Sequence, residues 1–319
     1  MKQFDDFEKL LSEHSSFLLI GHEDPDGDSL GSLLGMSEYL DGRGKRVLVV
    51  CKTQVPKIFY FLSGIEKIES DFKIEDFEVV ILLDNGDLKR TGFMDIVRSA
   101  RKQGISIVNI DHHIRNDIWK LATLNLADVE ASSTSEIVFN LLTYLGYEMT
   151  PSAATALLAG MYYDTGGFHH TNTSNEVLRI SSELLHLGAN LKKISKSVSQ
   201  NRSVNMLKLW GIAIDRIIVD NKRGMAVTFL TRDDILQAGA NDEEISGLVN
   251  LLNTASEIRV ALLLYETSDG KIKGSLRTED ENVDVAKIAE LMGGGGHKKA
   301  SGFALSGKFV RESEGWKIV

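Results

Sequence analysis

Apolar residues follow two rhythms along the first half of the chain. Four short runs, FLLIG (17–21), RVLVVC (46–51), FEVVILLD (77–84) and ISIVNID (105–111), are almost unbroken and rich in β-branched side chains, the pattern of strands buried on both faces. Between and after them the apolar positions recur at i, i+3, i+4 spacing, in LGSLLGMSEYLDGRG, TGFMDIVRSARKQG, STSEIVFNLLTYLG and PSAATALLAGMYYD, the last with Pro151 near its start. Strand and helix in alternation predict βαβ units and a parallel sheet. From Asn175 to Leu209 the chain reads as continuous amphipathic helix, a bridge to a region of different character. There IDRIIVDNKRGMAVTFLT and IRVALLLYETSDGKIKGSLRT predict hairpins, turning at residues 221–224 and at Asp269-Gly270, and a helix, DVAKIAELM, runs into GGGGHKKASGFAL. The expected class is α/β: an N-terminal parallel-sheet domain with helices on both faces, a helical linker, and a smaller C-terminal α/β domain with a mixed sheet.

Composition narrows the setting. The 319 residues suffice for two domains with their own cores, and 43% hydrophobic with 25% charged residues is ordinary for a soluble globular protein. Cys51 is the single cysteine, which excludes an intrachain disulfide and fits a reducing compartment. The start, MKQFDDFEKLLSEH, lacks a basic region followed by an apolar one, and no apolar run approaches a bilayer span, so a cytoplasmic protein without membrane contact is expected. The net charge of −9 argues against a long electropositive groove for duplex or extended single-stranded nucleic acid. A small anionic ligand stays open, because bound divalent metals reverse the local field. Oligomeric state is not legible; a homodimer is compatible with the sequence.

Chemistry concentrates at GHEDPDGDSLGS, where His22 and four carboxylates share seven residues at a strand-to-helix turn. Asp24, Asp26 and Asp28 alternate as in a calcium EF-hand loop, but counting from Asp24 puts Ser29 at the sixth position and Gly35 at the twelfth, where glycine and a bidentate glutamate belong. Turn formation and capping would need one aspartate, not this cluster. Further acids lie at the ends of other segments: Asp84 and Asp87 in FEVVILLDNGD, Asp111, His112 and His113 in ISIVNIDHH, and Asp164 in GMYYDTGGF. Ligands of open parallel sheets bind outside the carboxyl ends of the strands, so these groups can converge. Cations between the carboxylates would offset their repulsion. An oxygen-rich set with a few imidazoles suits Mn²⁺ or Mg²⁺, and Mn²⁺ most of all.

At these residues the sequence resembles the DHH phosphoesterase superfamily. HEDPDGDSLGS, LLDNGD, IDHH and YYDTGGF are similar to its four motifs in order, and GGGGHKKASGF to the signature of the DHH-associated C-terminal domain of RecJ-like and nano-RNase members. The resemblance implies a catalytic domain over 1–185, a helical linker over 186–209 and a substrate-binding domain over 210–319. It implies two Mn²⁺ ions, with Mg²⁺ or Co²⁺ as substitutes: one held by His22, Asp26 and Asp84, the other by Asp28, Asp84, His112 and Asp164, with Asp84 bridging. His113 would face the scissile phosphate, as proton donor to the leaving oxygen or as hydrogen-bond donor to the phosphoryl group, and Asp111 would orient the histidines. Two such ions activate water and clamp phosphoryl oxygens during in-line displacement.

Four carboxylates largely neutralise two divalent ions, so the substrate needs further positive charge. By the same resemblance it comes from Gly294, Gly295, Gly296 and His297 and from Arg277, with Arg115 a weaker candidate that a solvated surface arginine would equally explain. The glycine run alone would read as a flexible linker. In ASSTSE, Ser133 and Glu136 make a capping box, with a substrate contact secondary, and His169-His170 reads as a surface pair. The implied activity is phosphodiester hydrolysis of short nucleotides such as pApA, with cyclic di-AMP and nano-RNA as further substrates, to 5′-mononucleotides. A pAp phosphatase is the alternative, ahead of an inorganic pyrophosphatase or a catalytically silent nucleotide sensor.

Overall fold

The computed structural model describes residues 2–114, 116–199, 202–312 and 315–319. The chain divides into two compact units, Met1–Asn201 and Arg202–Val319.

The first unit runs α1 (Lys2–Glu13), β1 (Ser16–Ile20), α2 (Gly27–Gly42), β2 (Arg46–Val50), β3 (Val79–Leu83), α3 (Met94–Lys102), β4 (Ser106–Asp111), α4 (Ile118–Leu121), β5 (Leu124–Ala127), α5 (Thr134–Tyr144), α6 (Pro151–Asp164), α7 (Asn175–His186) and α8 (Leu191–Ser199). Its five strands are all parallel, in the order β2-β1-β3-β4-β5. The unbroken apolar runs follow from burial on both faces. Phe17 and Leu19 join one core with residues of α1, α2 and α5–α8, while Leu18 and Ile20 join the other with Val97 and Ala100 of α3 and Ile118 of α4. The chain passes from β1 to β2 on one side and then crosses back to β3 on the other side of β1. Their carboxyl ends therefore open a crevice at the switch point where such sheets bind ligands.

β5 escapes the apolar-run criterion because LNLA is a short edge strand, half-buried at most positions, with Asn109 donating to Asn125 Oδ1 across the pair at 3.3 Å. Cys51 is buried beside the crevice and burial pushes its thiol up to about 12, so it is no nucleophile at neutral pH.

The expected continuous helix over 175–209 is instead three helices. Gly188, with φ +95°, takes the left-handed conformation that ends α7. Ile180, Leu184 and Ile194 of α7 and α8 belong to the first core, whereas Leu209, Trp210 and Ala213 of α9 (Val204–Asp215) belong to the second unit. The amphipathic pattern is real, but it serves two cores rather than a free-standing linker.

Close approach of α2 to α6 sets the floor of the crevice. A Cβ on Gly27 would lie 2.5 Å from Tyr163 Cβ, and one on Gly31 would press into the Ala156 carbonyl oxygen of α6. Gly31→Ala is therefore expected to destabilise the protein by about 1–3 kcal/mol through overpacking, despite alanine's helix preference of about 1 kcal/mol. Urea denaturation checks this; unchanged or increased stability would mean that the helices separate freely.

The second unit continues from α9 with β6 (Ile218–Asp220), β7 (Met225–Leu230), α10 (Arg232–Gln237), α11 (Leu248–Leu252), β8 (Val260–Glu266), β9 (Lys271–Arg277), α12 (Val285–Leu291), β10 (Gly295–Gly296), β11 (Ala300–Ser306), β12 (Phe309–Glu312) and β13 (Gly315–Ile318). Its six-stranded sheet, β10-β11-β9-β8-β7-β6, is mixed: β7 and β8 are parallel and the other pairs antiparallel. Both expected hairpins form, β6-β7 and β8-β9. The glycine run is not a flexible linker. Gly295 and Gly296 pair with Gly302 and Ser301, and a Cβ on Gly294 would collide with the Gly302 carbonyl.

Candidate metal centre

Three strand ends and two helix ends of the first unit meet at one cluster. His22 follows β1 and is buried. Asp26 is the N-cap of α2, its Oδ1 accepting from the N–H groups of Asp28 (3.0 Å) and Ser29 (3.1 Å), so capping and cluster membership coexist in one side chain. Asp28, in the first turn of α2, is fully buried; Asp24, the third member of the alternating set, is exposed and outside the cluster.

Asp84 follows β3 with φ +60°, a left-handed conformation that costs a non-glycine residue about 1 kcal/mol or more. Its N–H donates to the Ile110 carbonyl at 3.1 Å. Beside it, the Asn85 side-chain amide donates to the carbonyls of Ile20 and Leu83, both at 3.0 Å, and so ties the ends of β1 and β3 together. His112 and His113 follow β4, and Asp164 closes α6.

Ligand atoms of His22, Asp26 and Asp84 lie within 4.8 Å of one another; so do those of Asp28, His112 and Asp164, and those of Asp84, His112 and His113. His22 Nε2 stands 3.7 Å from Asp26 Oδ1 and 3.9 Å from Asp84 Oδ2, too far for hydrogen bonds, and is buried with no partner among the described residues. His112 Nε2 is 3.7 Å from Asp84 Oδ1 and 3.3 Å from Asp164 Oδ2. An orphaned imidazole nitrogen between two carboxylates is what a bound cation would leave behind, and the donor set is that of a hard divalent ion. These residues fit such ions, with Asp84 within reach of both groups.

Electrostatics point the same way. Burial, then the charges of Asp28, Asp26, Asp164 and Asp111, push the Asp84 carboxyl well above its ordinary value. Burial and then Asp28 and Asp26 do the same to Asp164, and burial raises Asp28. Burial also opposes ionisation of Asp26, yet the His22 ring and the Ser29 and Asp28 N–H groups hold its carboxyl below the usual range. The sign for stability follows from the three raised groups. Without divalent ions, their contribution is full below the ordinary carboxylate range and is lost as pH rises through their raised values. The metal-free protein should therefore melt at lower temperature as pH is raised from the ordinary carboxylate range toward neutrality, and Mn²⁺ should reverse the loss. A melting point in chelator that climbs steadily with pH over that window would show that the carboxylates do not repel one another.

Sequence reading missed the support beneath the cluster. The N-terminus of α5 grips it: the Thr134 and Ser135 N–H groups donate to Asp28 Oδ2 (2.6 Å) and Oδ1 (2.9 Å), and the Thr134 hydroxyl donates to Asp84 Oδ1 (3.1 Å). Ser133 does cap α5, accepting from the Glu136 N–H at 3.2 Å, but the Glu136 carboxylate returns to the Ser132 N–H (2.8 Å), so the reciprocal capping box is shifted by one residue. ASSTSE thus has a second task beside capping, and only its placement in space reveals it.

Asp111 is fully buried. It accepts from the Gly86 N–H at 2.8 Å and the His113 N–H at 3.0 Å and lies 2.7 Å from His113 Nδ1; it holds His113, while no bond joins it to His112. Burial disfavours its charge, but the His113 contacts outweigh this and keep the carboxyl below its ordinary value. A carboxylate can only accept, so His113 carries its proton on Nδ1. Asp87 caps a turn by accepting from the Arg90 N–H. His169 and His170 are exposed as expected, each bonding a backbone carbonyl through Nδ1, Gly166 and Asp164 respectively. Arg115 lies outside the described residues.

In the second unit, Arg277 ends β9 and pairs in register with Ala300, which closes the turn begun by His297. The arginine and the glycine-histidine segment thus share one end of that sheet. The Arg277 guanidinium is half-buried, and burial lowers its pKa; its Nη1 donates to the Leu276 carbonyl and meets no carboxylate among the described residues. His297 is exposed, and Lys299 is committed to Glu281 (2.8 Å).

Residues 16–161 match the DHH family, N-terminal domain, and residues 211–313 match the DHHA1 domain. The chain is 31% identical over 301 residues to the bifunctional oligoribonuclease and PAP phosphatase NrnA of Thermus thermophilus, covering 94% of this chain and 87% of that protein. The protein of the same name from Bacillus subtilis is 27% identical over 305 residues, covering 93% and 91%. Among solved structures, an exopolyphosphatase-related protein from Bacteroides fragilis superposes with a TM-score of 0.87 at 28% identity, covering 95% of this chain and 90% of that one. No helix among the described residues is long and apolar enough to cross a membrane.

Proposed function

As the chain belongs to the DHH family, in its nano-RNase and pAp-phosphatase group, we propose that it is a two-metal phosphodiesterase hydrolysing short nucleotides such as pApA to 5′-mononucleotides. One observation carries this reading above the others: two ligand groups, His22/Asp26/Asp84 and Asp28/His112/Asp164, adjoin through Asp84 at the sheet's switch point.

His22, Asp26 and Asp84 would hold one ion; Asp28, Asp84, His112 and Asp164 the other. Mn²⁺ suits a set containing two imidazoles, with Mg²⁺ or Co²⁺ as substitutes. When bound, such a pair lowers the pKa of water and neutralises the phosphoryl oxygens. The chain's own part is positional. Thr134 and Ser135 fix the two carboxylates from beneath, and the strained backbone of Asp84 aims its carboxylate into the crevice. His113, braced by Asp111, delivers a proton from Nε2 to the departing 3′ oxygen once its ring is protonated. In this reading the second unit binds substrate phosphates through Arg277, the backbone of Gly294, Gly295 and Gly296, and His297.

The names of both relatives pair oligoribonuclease with PAP phosphatase, and this favours pAp as a second substrate of the same site. A chromatographic assay in Mn²⁺ should offer pApA, cyclic di-AMP, pAp, a five-nucleotide RNA and pyrophosphate at matched concentration. Rapid conversion of pApA to AMP, with little pyrophosphate cleavage, is the expected result. Dominant pAp or pyrophosphate hydrolysis would move the assignment to a phosphatase, and tight cyclic di-AMP binding without turnover would make the protein a sensor.

A further inference from the structure

Two divalent ions carry four positive charges, which Asp26, Asp28, Asp84 and Asp164 already balance, and Asp111 is committed to His113. A phosphodiester brought to this centre adds a negative charge with no surplus to meet it. The sequence places the compensating charge in the second unit. The first unit, however, holds a cation of its own at the rim of the crevice.

Arg90 lies in the turn after β3. Its N–H donates to Asp87 Oδ1 at 2.9 Å, and its carbonyl accepts from the Glu23 N–H at 2.6 Å, which ties it to the loop bearing His22 and Asp26. Gly86 makes room for its side chain: a Cβ there would lie 2.8 Å from Arg90 Nη1 and 3.5 Å from His113 Cδ2, so guanidinium and imidazole flank one point. Gly86 has φ +67° and donates to Asp111, which locks that gap open. Arg90 is half-buried, and its charge partly opposes the burial and the neighbouring carboxylates that raise Asp164. Although Asp164 is close enough to feel its charge, the guanidinium forms no ion pair or hydrogen bond among the described residues. Lys52, at the neighbouring strand end, is by contrast laid over the Phe93 ring at 5.1 Å. A rigidly mounted guanidinium that pairs with no carboxylate among the described residues has its donors free for another anion.

We propose that Arg90 is a catalytic residue that donates hydrogen bonds to a non-bridging oxygen of the scissile phosphoryl group, beside His113. This rests on the reading of the centre as a phosphoester hydrolase. It gives the first unit its own transition-state contact, independent of Arg277 and His297. Charge on the non-bridging oxygens must be met as the bond breaks, and removing one such preorganised donor typically costs about 10²–10³-fold in rate.

The test uses full-length Arg90→Gln and Arg90→Lys in Mn²⁺, with pApA, unphosphorylated ApA and thymidine 5′-monophosphate p-nitrophenyl ester as substrates. R90Q is expected to lose about 10²-fold in kcat/KM, by the same factor on all three. R90K should recover part of the loss, and Mn²⁺ per chain and melting temperature should match the wild type. A loss confined to pApA would assign Arg90 to the terminal 5′ phosphate and overturn the proposal, as would near wild-type rates or a loss of bound Mn²⁺. If the wild type cleaves the chromogenic ester but no dinucleotide, the dinucleotide assignment fails while the Arg90 comparison is still read on the ester. If it cleaves none of the three, both fall.

Discussion

Asp84→Asn is expected to remove metal loading and hydrolysis together, with pApA turnover falling by about 10³-fold or more, the several kcal/mol that a metal centre supplies. Asp84 stands between the two ligand groups, 3.9 Å from His22 Nε2 and 3.7 Å from His112 Nε2, so both ions would lose a ligand at once. Asparagine is the informative substitution. It tolerates the left-handed backbone at φ +60° and keeps the shape, so the charge alone is removed. A structural defect can be told apart by stability in chelator. The ionised Asp84 is buried among like charges, so the metal-free variant should melt above the metal-free wild type. Metal analysis, turnover and a melting curve with EDTA check all three. Persisting turnover would remove Asp84 from the bridging position.

The second large effect is expected at His113. His113→Gln should lower kcat on pApA by about 10²–10⁴-fold, the usual contribution of a positioned general acid, with Mn²⁺ content unchanged. The leaving group decides what the ring does. A nucleoside 3′ oxygen needs a proton as it departs; p-nitrophenolate does not. If His113 supplies that proton, its loss should be severe for pApA and slight for the p-nitrophenyl ester, whereas Arg90→Gln should affect both alike. Equal losses in H113Q would instead make His113 a hydrogen-bond donor to the phosphoryl group. Asp111→Asn should follow H113Q in the same direction, because the buried carboxylate fixes the proton on Nδ1 through a 2.7 Å contact.

The legible parts of this molecule are those that one-dimensional patterns encode. Runs such as VVILL announce a strand buried on both faces, and the aspartates that close two of the runs, Asp84 and Asp111, mark the carboxyl edge of the sheet. His22, Asp26, Asp28, Asp84, His112 and Asp164 could be named in that way, with the family resemblance supplying their grouping. The illegible parts depend on contacts between distant segments. Thr134 and Ser135 lie more than a hundred residues from the Asp28 they hold, and nothing in ASSTSE distinguishes gripping a carboxylate from capping a helix. Arg90 simply follows Lys89 in LKRTG; only the gap at Gly86 and the lack of a side-chain partner among the described residues single it out. The 175–209 stretch reads as one helix because amphipathic periodicity continues across Gly188, and the core that it faces changes only after α8. The glycine run reads as flexible in isolation, yet its backbone is paired into a sheet.

The most direct test of a shared two-ion centre is electron paramagnetic resonance on the full-length protein titrated with Mn²⁺. Two ions bridged by Asp84 require binding to saturate at two Mn²⁺ per chain, with the isolated six-line signal giving way to a spin-coupled spectrum as the second equivalent enters. Saturation at one ion per chain, or two ions whose signals stay uncoupled, would contradict it.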